Sequence, residues 1–119
     1  MAEQEIKMGY YCVIPAMILD DNELLSDEKI LYGRIAGLAN KEGYCYASND
    51  YFEKSFADKT GKPKTKATII HWLNHLEEKG YIKRVNIYHK ENPNQVIQRR
   101  IYLMDKRVPT LILEGVSNE

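Results

Sequence analysis

The clearest hydrophobic pattern in the chain runs from Lys64 to Lys79, KTKATIIHWLNHLEEK. Apolar residues fall at Ile69, Trp72, Leu73 and Leu76, the i, i+3, i+4, i+7 spacing of one buried helix face. Thr65 can cap the start, because its hydroxyl accepts a backbone N–H left without a partner in the first turn. Gly80 is the residue type that ends helices at the left-handed position beyond the last turn. On the opposite side lie Lys64, Ala67, His71 and Asn74, with Thr68 on the shoulder. That side is small, polar and basic near its N-terminus.

A second helical pattern opens at Ser26, an N-cap candidate, with Asp27 and Glu28 favoured in the first turn by the helix dipole. Ile30, Leu31, Ile35, Leu38 and Ala39 form its apolar stripe, Tyr32 and Arg34 fall to the sides, and Asn40 to Gly43 close it. Before it, Tyr10 to Ile14 reads as a short strand ended by Pro15, and Ala16 to Leu19 as one helical turn. Tyr44 to Ala47 reads as a further short strand. Ser48 then caps a helix from Asn49 to Phe56 that buries Tyr51 or Phe52 together with Phe56. Ala57 to Pro63 is a loop, broken by Gly61 and Pro63. Downstream, Tyr81 to Tyr88 alternates apolar and polar residues, His89 to Gln95 is a polar turn around Asn92-Pro93-Asn94, and Val96 to Met104 returns. These form a hairpin directly after the main helix.

Helix, short strand, helix, helix, hairpin is the order of a winged helix-turn-helix. The expected fold class is therefore α+β and mostly helical, a three-helix core plus a β-hairpin wing. One domain is expected over residues 10–105. Residues 1–9 are expected to be a flexible tail. Residues 106–119 are expected to be an extension containing the apolar run VPTLIL, which packs as a strand, makes a dimer contact or begins a linker.

The formal net charge is zero, which by itself argues against a nucleic-acid partner. Its distribution argues the other way. Residues 1–53 carry 4 basic and 10 acidic side chains, whereas residues 54–107 carry 13 basic and 5 acidic ones. The basic half coincides with the main helix, the loop before it and the hairpin.

Catalytic and metal chemistry find no motif. Cys12 and Cys45 lack CxxC spacing and read as reduced thiols beside the core. His71 and His75 stand i, i+4 with Glu78 three residues on, but without the HExxH order, and read as surface histidines. No Gly-rich phosphate loop or GxSxG motif is present. The chain is expected to be no enzyme and to carry no cofactor and no metal. Trp72 reads as a core anchor, and Tyr44, Tyr46 and Tyr81 as core or half-buried strand residues before base-stacking platforms. No apolar run approaches the ~18 residues that cross a bilayer, and the N-terminus does not read as a secretory signal, so no membrane partner and a cytoplasmic location are expected.

Four blocks are more specific than the element order. They are Y-x-V-I-P (Tyr11, Val13 to Pro15), K-x-L-Y-G-x-I-x-x-L-x-N (Lys29 to Asn40), K-x-G-Y-C-x-A-S-N (Lys41 to Asn49) and W-L-x-x-L-E-x-K-G-Y-I (Trp72 to Ile82). Over roughly residues 10–103 the chain resembles the N-terminal domains of plasmid and bacteriophage replication initiators of Gram-positive hosts, also called replisome organisers. The resemblance implies a winged-helix domain that binds double-stranded DNA at a replication origin, as a homodimer or in arrays, with other replication proteins as further partners. Two features depart from that family: the turn before the main helix is longer, and His71 stands where the family usually carries Arg.

The expected DNA-contacting residues follow from helix placement and clustered charge. Lys62, Lys64, Thr65, Lys66, Thr68, His71 and Asn74 surround the main helix. Ser48 and Asn49 stand at a helix N-terminus, where backbone N–H groups favour phosphate. Lys83, Arg84, Lys90, Arg99 and Arg100 lie on the hairpin or its turn. Two other readings fit the same pattern: a winged-helix protein-interaction module, and a transcriptional regulator that uses the same DNA contacts.

Overall fold

The helix predicted around Trp72 is present, and its stripe is withdrawn from water. In a computed structural model that describes residues 11–104, α4 spans Lys66–Glu78 and buries Ile69, Trp72, Leu73 and Leu76. Thr65 caps it, its hydroxyl accepting from the Thr68 N–H at 3.2 Å. Gly80 stops it with φ +83°. The Gly80 N–H donates to Glu77 O at 2.9 Å and the Tyr81 N–H to Leu76 O at 3.0 Å. This is the paired closure of a Schellman stop, which satisfies carbonyls the helix end leaves open.

The remaining elements are α1 (Ala16–Leu19), α2 (Ser26–Leu38), α3 (Asn49–Ser55), β1 (Ile82–Tyr88) and β2 (Val96–Leu103). The strands form an antiparallel hairpin in which Ile82 pairs with Leu103 and Arg84 with Ile101, with one irregularity between Ile87 and Tyr88 near the turn. The helices and the inner face of the hairpin share one core. Leu31, Tyr32 and Ile35 from α2, Tyr51 and Phe52 from α3, and the α4 stripe meet Ile82 and Ile101 there. Phe56 packs edge-on to Trp72, ring centroids 5.1 Å apart. Each such side chain taken from water stabilises the fold by about 1.5–3 kcal/mol. The expected α+β winged helix-turn-helix, with its helical core and two-stranded wing, is the architecture observed.

Several local expectations are corrected. Tyr11 to Pro15 is not in a strand. Val13 instead donates to the Gly33 carbonyl at 3.2 Å, beside a helix whose Gly33 leaves no room for a side chain: a Cβ there would stand 2.7 Å from Ile14 Cγ1. Ser26 is the first residue of α2 and Leu25 precedes it as the cap position. The capping contact comes from Glu28, which accepts the Leu25 N–H at 2.8 Å. Tyr32 is fully buried, whereas Ile30 is exposed, so the stripe on α2 is rotated from the expected one. The expected strand at Tyr44 to Ala47 is a single bridge, Cys45 to Ile101, closed by hydrogen bonds of 2.9 and 2.7 Å. α3 ends at Ser55, and both Tyr51 and Phe52 are buried. The tail at 1–9 and the extension at 106–119 lie outside the described residues.

Two polar clusters lock the helices together. His75 is not a free surface histidine: its Nδ1 lies 2.9 and 3.0 Å from the two carboxylate oxygens of Glu28, whose side chain is only 1% exposed. A buried carboxylate persists only with such partners, so this contact ties α2 to α4. Just beyond the same end of α4, Asp21 accepts from the Tyr81 hydroxyl at 2.5 Å and meets Lys79 at 3.1 Å. The Tyr81 hydrogen bond is the main reason that the Asp21 carboxyl is held down at about 2, against an ordinary value of 3.8.

The pH dependence follows in sign. A carboxylate whose folded pKa lies below its unfolded one stabilises the fold above the unfolded value and loses that contribution as pH falls through the folded one. Asp21 therefore contributes above about pH 4, and the contribution is lost as pH falls through about 2. Tyr81→Phe is expected to cost about 1–2 kcal/mol at neutral pH and to move acid unfolding to higher pH. Circular dichroism across an acid titration measures both; an unchanged acid midpoint would show that Asp21 does not depend on this hydroxyl.

Candidate nucleic-acid interface

The exposed side of α4 carries Lys66, Ala67, Ile70, His71 and Asn74, and no carboxylate occurs on the helix before Glu77. Its N-terminal turn is built by two threonines. Thr65 caps Thr68, and the two hydroxyls lie 3.0 Å apart. These groups orient the helix start and at the same time present it to solvent.

The loop ahead of α4 is an ordered turn. Asp58 Oδ1 accepts from the Thr60 N–H at 2.8 Å, the Thr60 hydroxyl at 2.6 Å and the Lys62 N–H at 3.0 Å. The Asp58 N–H donates to Lys62 O at 2.9 Å, and Gly61 turns the chain with φ +90°. Lys64 N–H donates to Glu53 O at 3.1 Å, which fixes the loop exit against α3. The Asp58 carboxyl is held below its usual range, chiefly by the Thr60 hydroxyl. Lys59 and Lys62 project from this turn into solvent, and Lys64 is half-buried. Asp58 is not one of the expected site residues. The signal that points to it is the D-x-T-G sequence, in which Asp closes a turn onto backbone N–H groups two and four residues on.

The structure brings some expected residues together and separates others. Arg84 leans from β1 onto α4, where Nη2 donates to Asn74 Oδ1 at 2.6 Å and Nε to Glu77 Oε1 at 2.6 Å. Asn74 and Arg84 thus act as one unit that joins helix and wing. Arg99 crosses to α3 and donates to Asn49 Oδ1 at 2.6 Å and to Ala47 O at 2.7 Å. It is substantially buried, and that burial lowers its pKa from the ordinary arginine value. Ser48 caps α3 by accepting from Tyr51 N–H at 3.1 Å. Lys90 stands exposed in the turn of the hairpin. Lys83 and Arg100 occupy the other face of the sheet, away from the core: Lys83 pairs with Tyr102 and Arg100 with Val85, whereas the core-facing pair is Ile82 with Leu103. The expected residues therefore divide between the α4 side and the outer side of the wing. Ile70, also unanticipated, is exposed beside His71 because it lies one position off the buried stripe. An apolar group there suits contact with a thymine methyl.

No group of three or more metal-ligating side chains occurs among the described residues, and no helix among them is long and apolar enough to cross a membrane. A capped helix with a polar, basic outer face, set against a preceding helix and followed by a hairpin, defines a winged helix-turn-helix DNA-binding domain. A family model described as a helix-turn-helix domain matches residues 22–82, just over half of the chain, and the chain belongs to that family. The matched segment runs from the turn before α2 through α4 to the first residue of the wing. No curated protein and no solved structure gives a match. Sequence-specific DNA binding without catalysis is the activity of this class.

The role of Arg99 as an internal anchor is testable against that of a solvent-exposed lysine. Arg99→Ala removes the hydrogen bonds to the Ala47 carbonyl and the Asn49 side chain and is expected to cost about 2–3 kcal/mol in urea unfolding. Lys90→Ala is expected to change stability by no more than about 0.5 kcal/mol. Equal, small effects of both would remove the anchor role.

Proposed function

We propose that α4 lies in the major groove of double-stranded DNA, with Lys66, Ile70, His71 and Asn74 toward the base edges. The observation that carries this is the helix face itself: exposed, polar and basic, free of carboxylates until its last turn, and held by a cap at the end that would enter first. In this reading Lys62 and Lys64 follow the phosphate backbone ahead of α4, and Ser48 and Asn49 meet it at the start of α3. Arg84 and Lys90 extend the interface from the helix onto the wing. Asn74 with Arg84 forms a donor-rich pair suited to a purine edge.

The role within the cell is the origin recognition of a plasmid or phage replication initiator, exercised in the cytoplasm on repeated sites by a homodimer or an array of copies that engage other replication proteins. The support for this is the set of four sequence blocks, of which the first and third lie outside the features that any winged helix needs. The alternative role, transcriptional control, uses the same residues at a different site.

The deciding experiment is a footprinting and mobility-shift screen on DNA surrounding the gene, with salt varied. Binding to duplex DNA is expected to fall steeply with salt, because each neutralised phosphate releases counterions. Lys66→Glu is expected to weaken binding at least about tenfold, as loss of a base-edge contact worth about 1–3 kcal/mol implies. Protection of repeated sequences supports the replication role, and protection of a promoter alone supports transcription. Salt-independent affinity, or no binding at low salt, would overturn the duplex reading.

A further inference from the structure

The outer face of the wing is a second surface of distinct chemistry. The single bridge between Cys45 and Ile101 lays the Tyr44–Tyr46 segment in extended fashion beside β2. Cys45 and Ile101 are both fully buried on the core side, so Tyr44 and Tyr46 share the outward side with Arg100 and Tyr102. The ring geometry agrees with that alternation. Tyr44 and Tyr102 have ring centroids 5.7 Å apart, and Tyr44 and Tyr46 6.3 Å apart. The Arg100 guanidinium lies 4.2 Å from the Tyr44 ring centroid, and Gln98 accepts its Nε–H at 2.7 Å. Lys83 stands opposite Tyr102 across the hairpin. Further along the same face of β1, Val85 and Ile87 are half-buried opposite Arg100 and Gln98. None of these outward strand positions is acidic.

We propose that this sheet face binds single-stranded nucleic acid, its bases stacking on the Tyr44, Tyr46 and Tyr102 cluster and on the Arg100 guanidinium, with Lys83 facing the backbone. Chemistry and electrostatics both favour this occupant. Unpaired bases bind by stacking on aromatic rings and guanidinium planes within a positively charged groove. A sheet supplies such planes on alternate residues. Arg100 is held over Tyr44 by the ring and by Gln98, so a stacking plane stands ready before any ligand arrives. A duplex cannot use this face in the same way, since its bases are closed into pairs. The surface also points away from α4, because the opposite face of β1 is the one that Arg84 joins to Asn74 and Glu77. Single-strand and duplex binding are therefore separable, and this assignment does not depend on where α4 docks.

The test uses the full chain and a fluorescein-labelled oligothymidine of about fifteen nucleotides, within the span that stacking platforms cover. Anisotropy at low salt is expected to show binding. The double variant Tyr102→Leu with Arg100→Gln is expected to weaken it at least about tenfold and to leave duplex affinity unchanged. Lys66→Glu is expected to do the reverse. Thermal melting of each variant checks that the fold persists. If the double variant does not fold, photocrosslinking of a bromouracil oligonucleotide to the unaltered chain decides the matter: adducts on Tyr44, Tyr46 or Tyr102 support the assignment. Absence of binding, single-strand binding abolished by Lys66→Glu but untouched by the double variant, or adducts confined to α4 and its loop would overturn it. Retention of a protein partner by this face, without any oligonucleotide binding, would also overturn it.

Discussion

The stop at Gly80 is the constraint on which the rest of the molecule depends. Within three residues the chain leaves α4, buries Tyr81 and starts the hairpin with Ile82 in the core. The left-handed glycine lets the Tyr81 N–H close onto Leu76 O, and the Tyr81 carbonyl in turn accepts the Met104 N–H at 3.0 Å where the wing returns. The Tyr81 hydroxyl reaches Asp21 ahead of α2. One residue thus joins the end of the reading helix, the base of the wing and the entry to the first long helix. A residue with a Cβ at Gly80, where φ is +83°, would carry a strain of roughly 1–2 kcal/mol at the place where these three directions are set.

The same geometry explains how a chain of zero net charge presents a basic face. Asp27, Glu28 and Asp50 stand at helix starts, and Asp21 and Glu23 in the turn that holds Tyr81 and Lys79, remote in sequence from the loop and wing lysines. The arginines have a different task from the lysines. Arg84 and Arg99 each make two hydrogen bonds that fasten the wing to the helices, as suits a planar group with several fixed donors. The lysines of the 57–64 loop and of the α4 start remain at the surface, where a mobile point charge serves a phosphate well. Rigidity of the interface thus comes from Arg, and long-range attraction from Lys.

Much of the fold is legible in the sequence because its signals are local. The α4 stripe, the Thr65 cap, the Ser48 cap and the Gly80 stop each depend on a few neighbouring residues, and each is found where the pattern puts it. The failures occur where distant segments decide. Tyr32 sits to the side of an ideal α2 stripe, but Tyr81 arrives from the far end of the chain and meets it edge-on, ring centroids 6.4 Å apart. His75 looks like a surface histidine until Glu28, 47 residues away, is buried against it. The segment at Tyr11 to Ile14 has strand composition but pairs with no strand among the described residues. The site divides in the same way. The outer face of α4 is readable from helix geometry, whereas the pairing of Asn74 with Arg84 and of Asn49 with Arg99 depends on tertiary approach. The lengthened turn before α4 reads as an irregular loop, and only the convergence of three donors on Asp58 shows that it is built.

Everything proposed for the cell rests on the outer face of α4 meeting duplex DNA. Titration of the isotope-labelled chain with its duplex site, followed by amide chemical shifts, tests this most directly. The largest changes are predicted at Lys66, Ala67, Ile70, His71 and Asn74, with smaller ones in the 58–64 turn and at Lys90. Changes concentrated instead on α1 and α2, with α4 unperturbed, would contradict it.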